Sequence, residues 1–451
     1  MLEDSQPHRQ RREIQLLGLA AAFVLTSAIA LSLAPFARVG SWAVNSDPGL
    51  FVFVGVWLVC AGVAVRVVRR RLPGHDPYVL PVVYLLSGWG LALIWRLTPG
   101  FGLRQTVWLV VATAIMLGVV LLPGDLRWLR RFRYTWLLVG LALTGLTFVV
   151  GVNPSGFGDR LWLGCCGLYL QPAEILKLLL VVFLASYLAD RRDLMFDTVP
   201  GNGVSGPPRR EALVYFLPML VMWSFSTVLL VSQRDLGMST LFFAVFIIML
   251  YLASGRWEYV AAGLVLLALG AVIGYYLYDV VRLRVEAWWN PWLDPTGRSY
   301  QIVQSLIAFG AGGVFGAGPG MGSPGIIPVA HSDFIFASLA EEWGLVGALA
   351  AVGLTAALVL RGLRIAAGAA GAFGQLLAGG LAAVLGVQAL LIMGGVIKLT
   401  PLTGVTLPFV SYGGSSLVAN FILVGLLLRL SVARGQPRPN DHDGETPPAA
   451  H

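Results

Sequence analysis

Ionisable residues are scarce in this chain, 12% of 451, and those that interrupt its apolar stretches fall into five segments. In the first, VRLRVEAWWNPWLDPTGRSYQIVQS, Asp294 lies among tryptophans and prolines. A carboxylate in an aromatic, partly desolvated setting holds its proton more tightly and can act as a general base. The same Asp-Pro sequence also opens a plain turn before Pro295 and Gly297. The second, GAGGVFGAGPGMGSPG, either lets backbone amides approach a phosphate or diphosphate closely or is an irregular loop. It lacks the GxxxxGK[ST] fingerprint and has no strand before it, which excludes a nucleotide cradle. The third, PVAHSDFIFASLAEEWGLVG, sets His331, Asp333, Glu341 and Glu342 where an apolar stretch resumes, and ionisable groups at such a place face a cavity or a partner. His331 and Asp333 have metal-ligand character, yet no second pair has zinc-like spacing, so no metal site is assigned. In the fourth, GFGDRLWLGCCGLYLQPAEILK, Arg160 is followed by Glu174 and Lys177 one helical turn apart. They form either a local ion pair or part of an anion site. Asp235, in SQRDLG, either joins such a site or caps a helix. The fifth, KLTPLTGVTLPFVSYGGSS, interrupts apolar sequence with Pro, Gly and hydroxyl residues, a pattern tolerated at membrane depth only where it lines a cavity or is buried.

The elements that must position these residues are membrane spans. A chain that is 57% hydrophobic cannot cover its own surface with polar groups, so lipid covers it. Stretches of about 20 apolar residues fall near 14–34, 48–68, 77–97, 104–122, 134–151, 170–189, 212–232, 236–254, 257–278, 336–360, 372–397 and 410–430. The basic amino end has no small-residue cleavage site after its first apolar run, which makes that run a span and not a removable signal. Arginines cluster in alternate loops, at Arg69 to Arg71, at Arg127, Arg130, Arg131 and Arg133, at Arg191, Arg192, Arg209 and Arg210, and at Arg361 and Arg364. The opposite loops hold scattered ones such as Arg38, Arg160, Arg234 and Arg298. The arginine-rich side is therefore expected to be cytoplasmic, with both termini there. This placement accounts for the net charge of +8 without a nucleic-acid partner. Cys60, Cys165 and Cys166 are too few for a disulfide framework and read as packing residues. A linker, MFDTVPGNGVSGPPRRE, follows the sixth span, a long outer loop runs from about 279 to 335, and the Pro-rich tail at 433–451 is expected to be disordered.

Three motifs carry a resemblance. DPxGxxYQxxQS from Asp294 to Ser305, HSDFIFAxxxEExGxxG from His331 to Gly347 and PLTGxTLPFxSYGGSS from Pro401 to Ser416 resemble the SEDS family (shape, elongation, division and sporulation), the RodA and FtsW type of peptidoglycan glycosyltransferase. Weaker likeness lies in GDRLWLG, QPAEILK and QRDLG, where Ala173 and Arg234 depart from the family pattern, as does Val329 farther on. The resemblance implies an all-α polytopic membrane protein of the bacterial plasma membrane. A ten-helix SEDS-like core would span 77–432, with two added transmembrane helices in 1–76 and a long extracellular loop between the ninth and tenth spans. It further implies polymerisation of lipid II into glycan strands, with Asp294 as the catalytic residue. Arg160, Glu174, Lys177, Asp235, Arg298, Gln301, Gln304, His331, Asp333, Glu341, Ser411, Tyr412 and Ser415 would be the substrate-binding residues. A class B penicillin-binding protein is the implied partner, and a divalent cation, magnesium or manganese, stays open as a cofactor. A lipid II flippase and a non-catalytic scaffold for a transpeptidase are the rival functions. A twelve-span transporter suits the sequence less, since no internal repeat is visible.

Overall fold

A membrane interior offers no water to backbone N–H and C=O groups, so a chain this apolar must satisfy them within helices. The computed structural model describes residues 6–40, 49–154, 156, 159–165, 167–196 and 209–432. The helices are α1 (Gln6–Val39), α2 (Gly49–Arg71), α3 (Val79–Leu97), α4 (Pro99–Leu121), the short α5 (Arg127–Arg131) and α6 (Arg133–Val150). There follow α7 (Pro172–Phe196), α8 (Arg209–Ser232), α9 (Leu236–Ser254), α10 (Glu258–Leu277), α11 (Asp279–Trp289) and α12 (Tyr300–Gly312). The last three are α13 (Ile335–Gly368), α14 (Gly371–Val396) and α15 (Gly414–Val432). Among the described residues, eleven helices are long and apolar enough to cross a membrane. α8, where a further span was expected, contributes the shorter apolar stretch Phe216–Ser232. The chain is a multi-pass membrane protein.

The fold is all-α as expected, with a small antiparallel hairpin of β1 (Leu163–Cys165) and β2 (Leu168–Leu170) just before α7. The long connection from 279 to 335 is ordered around α11 and α12. Cys60 is buried as expected, whereas Cys165 is exposed on β1. Cys166, most of the linker after α7 and the tail at 433–451 lie outside the described residues.

Burial separates a centre from a rim. About four-fifths of α3, α7, α14 and α15 is enclosed by other helices, against 6% of α10. Small residues permit the closest approaches in this centre: a methyl group on Gly90 would fall 2.3 Å from the Val410 carbonyl oxygen. α1 packs on α3 and α2 on α4. At the arginine-rich end, buried Glu13 of α1 binds Arg69 of α2 at 2.6 Å and His75 at 3.0 Å. Asp76 beside it binds Arg361 of α13 at 3.0 Å. At the other end, Arg38 of α1 donates to the Gly322 carbonyl, and Arg96 of α3 donates to the carbonyls of Gly320 and Gly322 at 3.3 and 3.2 Å.

α13 is broken at Gly344, whose φ of 67° no ordinary helix accommodates. The break frees the carbonyls of Glu341 and Glu342 and the amides of Leu345 and Val346, and the glycine-rich segment takes up all four. Ala317 and Gly318 donate to the two carbonyls at 2.9 and 3.0 Å, and the carbonyls of Gly313 and Val314 accept from the two amides at 2.9 and 3.2 Å. A methyl group at 344 would lie 2.3 Å from the Gly316 nitrogen. Gly344→Ala should therefore lower stability by about 2 kcal/mol or more, while Gly353→Ala, with open space at its Cβ position, should not. Thermal unfolding of the two variants in detergent checks this, and equal midpoints would remove the break from its structural role.

Candidate functional site

The polar residues that the sequence scatters over 250 positions meet at the loop end of the bundle and just inside it. Lys177 of α7 is 1% exposed. Its ammonium donates to Glu174 on the preceding turn, to Gln388 Oε1 of α14 at 2.8 Å and to Asn420 Oδ1 of α15 at 3.5 Å. All three ammonium hydrogens are thus directed at protein oxygens. Of the two readings of Glu174 and Lys177, the local ion pair is the one that forms, and this cation is not open to an incoming anion. Gln388 goes on to donate to the Thr406 carbonyl at 2.8 Å, and the Thr406 hydroxyl meets Ser416 Oγ at 2.6 Å.

Toward the loop end, Asp235 caps α9 by accepting from the Met238 amide at 3.0 Å, and it accepts from the Gln171 side chain at 3.1 Å. Ser415 accepts the Gln171 amide at 2.8 Å and donates to the Tyr169 carbonyl of the hairpin at 3.3 Å. Burial pushes the Asp235 carboxyl up to about 6, with the nearby Glu174 charge adding to the rise. Arg284 of α11 donates to the Thr403 carbonyl at 3.1 Å, and its charge acts on Asp333, Asp235 and Asp159. Burial also raises the Asp333 carboxyl and lowers the His331 imidazole, which favours its neutral form. The His331 ring lies 4.5 Å from Phe101, and Phe101 lies 4.7 Å from Tyr412. The Arg104 guanidinium stands beside the Tyr412 hydroxyl. Ser411 pins this region by accepting from Leu407 N–H at 2.9 Å and donating to the Ser332 carbonyl at 2.6 Å.

Other expected residues lie elsewhere. Asp294 is exposed, and its Oδ2 accepts the Arg298 amide at 3.0 Å across the turn that leads into α12. The tryptophans near it do not enclose it, since Trp289 is 76% and Trp292 59% exposed. Of the two sequence readings, the desolvated setting and the turn, the turn is the one that forms. A methyl group on Gly297 would lie 2.5 Å from both carboxylate oxygens, so a side chain there would displace the Asp294 carboxylate. Arg298 and Arg160 are exposed, and Gln301 and Gln304 are half-buried on α12. Glu341 of α13 accepts the Ser323 amide at 2.6 Å and so holds the glycine segment. The amides of Ala317 and Gly318 are committed to α13, so the glycine run does not present those two N–H groups to a phosphate. Among the described residues, no three His, Cys, Asp or Glu side chains converge so as to hold a metal ion.

Sequence reasoning missed Arg284, Gln388, Asn420, Gln171 and Arg104. Arg284 and Trp288 are one turn apart on α11, and both donate to carbonyls of the segment after α14, at 3.1 Å to Thr403 and 3.1 Å to Lys398. That i, i+4 pairing was the available signal. Gln388 and Asn420 were visible as lone amides inside apolar spans, where polar side chains need partners.

With this geometry in view, comparison with known proteins is decisive. The family described as cell cycle proteins of the FtsW, RodA and SpoVE type matches residues 81–436. The chain belongs to this family. RodA of Mycobacterium tuberculosis (strain ATCC 25618 / H37Rv), named a peptidoglycan glycosyltransferase, is 39% identical over 96% of this chain and 92% of its own length. A probable peptidoglycan glycosyltransferase FtsW of Geobacter metallireducens is 36% identical over 82% of this chain and 98% of its own. A solved peptidoglycan synthase complex that coordinates polymerisation and crosslinking contains a chain superposing with a TM-score of 0.66 at 27% identity, covering 80% of this chain and 98% of that one. The crystal structure of the Thermus thermophilus rod shape determining protein RodA superposes with a TM-score of 0.57 at 26% identity, over 81% and 99%.

Two outcomes follow from the buried network. Lys177→Met strands the Glu174 charge and should cost about 3–5 kcal/mol, and adding Glu174→Gln should restore much of it. Chemical or thermal unfolding of the single and double variants reads this, and additive losses would contradict the pairing. The Asp235 carboxyl holds its proton more tightly folded than unfolded. Its contribution is therefore fully present below the ordinary Asp value of about 4 and is lost as pH rises through about 6. The unfolding midpoint should fall between pH 4 and 7 (roughly that window) in the wild type and fall less in Asp235→Asn.

Proposed function

We propose that this protein is a peptidoglycan glycosyltransferase that polymerises lipid II at the outer face of the bacterial plasma membrane, with its arginine-rich end and both termini in the cytoplasm. The observation that carries this reading is the alignment with glycosyltransferase RodA over 96% of the chain, which takes in the Asp294 turn and the acid and guanidinium groups at the same end. Lipid II brings two requirements, a base for an acceptor hydroxyl and cationic compensation for a departing diphosphate.

Asp294, exposed on its turn, takes the proton of the acceptor GlcNAc 4-hydroxyl. The oxygen attacks the anomeric carbon of the donor, the bond from that carbon to the diphosphate oxygen breaks, and the configuration inverts. The leaving diphosphate-lipid carries the negative charge that Arg284, Arg104, Arg160 and Arg298 are available to offset. Lys177, enclosed by three oxygens, sets the position of α7 against α14 and α15. Asp294 and the inner acid cluster share no hydrogen bond or ion pair, so substrate must bridge them or α11 and α12 must move together, as loops that assemble a site on binding do. The first two helices and the long match with RodA relatives favour elongation and cell shape over division. A class B penicillin-binding protein is the proposed partner, in keeping with the complex in which a relative is found.

Glycan formation from labelled lipid II by the purified protein with its transpeptidase partner tests the reading. Asp294→Ala and Asp294→Asn should reduce polymer at least 100-fold, roughly the scale of general-base catalysis, with folding and lipid II binding retained. Normal polymerisation by these variants would remove Asp294 from the base role. A wild type that makes no polymer with its partner would place the protein among lipid II flippases or scaffolds.

A further inference from the structure

The arginine-rich end holds a cavity that the proposed activity leaves unused. It has a volume of about 560 Å³ and opens where α2, the α4–α5 connection, α7, the α13–α14 turn and α15 end together. Its lining combines two chemistries. Leu72, Leu126, Phe373 and Leu430 are apolar, and Arg127, Arg130 and Arg429 are cationic.

The carboxylates nearby do not cancel that charge. Asp125 lines the cavity and binds Arg127 at 2.6 Å, on a side chain that is 90% exposed. Asp190 is shared between Arg130 and Arg133. Arg429 donates to the carbonyls of Val119 at 3.0 Å and of Gly124, and Asp125 acts on its charge from a distance without an ion pair. The floor is the opening turn of α14, where Gly371 and Gly374 leave the backbone approachable and Ala370 offers no capping side chain. Guanidiniums bordered by apolar side chains at the ends of membrane-spanning helices match a ligand that is anionic at one end and greasy at the other.

We propose that this cavity binds the phosphate headgroup of an anionic membrane lipid, with the phosphate against Arg127, Arg130 and Arg429 and the glycerol and first acyl carbons against the apolar lining residues. The site lies at the opposite end of the bundle from Asp294 and Arg284, and it holds regardless of the reaction performed there. Bound lipid would tie the α4–α5 connection, the α13–α14 turn and the end of α15 to one another at the membrane surface.

Delipidated full-length protein, titrated with phosphatidylglycerol, phosphatidylcholine or inorganic phosphate and followed by native mass spectrometry and thermal unfolding, tests this. Phosphatidylglycerol should be retained and should raise the unfolding midpoint, and phosphatidylcholine should do neither. Arg127→Gln should weaken retention about five-fold, and Arg127→Gln with Arg130→Gln about twenty-five-fold, at roughly the worth of one basic residue near an anionic lipid each. Arg256→Gln, at the α9–α10 turn of the same end but outside the cavity, should leave it unchanged. Equal retention of the two lipids, or unchanged retention in the double variant, would overturn the site. Stabilisation by inorganic phosphate equal to that by the lipid would overturn the lipid as its ligand.

Discussion

The structure depends on one constraint, that a charge placed where lipid surrounds the protein must be met by protein. Lys177 shows how far this reaches. Its ammonium is almost fully enclosed, and it is met by Glu174 on its own helix, Gln388 on α14 and Asn420 on α15. Three of the most enclosed helices in the bundle are thereby registered against one another at a single nitrogen. Because Gln388 continues to Thr406 and Thr406 to Ser416, the same network fixes the non-helical segment between α14 and α15. Apolar packing alone would let those helices slide, since one leucine contact replaces another at small cost, whereas a displaced ammonium loses partners that lipid cannot replace.

The same constraint governs the backbone. A break in a membrane helix is tolerable when neighbours accept the freed groups, and the glycine segment after α12 meets that need at Gly344 by exchanging four hydrogen bonds with α13. That segment is in turn held from its other side by Arg38 and Arg96, so α1 reaches across the bundle to brace the outer face of a helix break. The glycines therefore serve close backbone approach, and α1 is built into the support of the loop region. This joins a part of the chain outside the family match at 81–436 to the segments around the site.

At the site itself, the groups fall into two sets with different physical states. Asp235, Asp333 and His331 are shielded, and their titration is shifted by burial. Asp294 is in water on a turn. A shielded set suits recognition of a charged headgroup, where low dielectric strengthens each contact. An exposed carboxylate suits a step in which substrate itself supplies the desolvation on arrival. Arg284 ties the helix that precedes the Asp294 turn to the segment at Thr403.

Much of this was legible in the sequence by itself. Spans followed from runs of apolar residues, because lipid imposes a length and a composition on each helix irrespective of its neighbours. The family followed from ordered motifs, and the functional segments from ionisable residues that interrupt apolar sequence. What the sequence could not decide was which polar groups find each other. Glu174 and Lys177 read equally as a pair and as an anion site until Gln388 and Asn420, some 210 and 240 positions away, were seen to enclose the ammonium. Asp294 read either as a desolvated base or as the opening of a turn until the structure placed it exposed on a turn beside exposed tryptophans. The glycine run read either as a phosphate cradle or as an irregular loop until the amides of Ala317 and Gly318 were seen to donate to α13. In each case the chemistry of a group depends on what lies within about 3 Å of it, a distance that local sequence does not encode and only the packing of helices fixes.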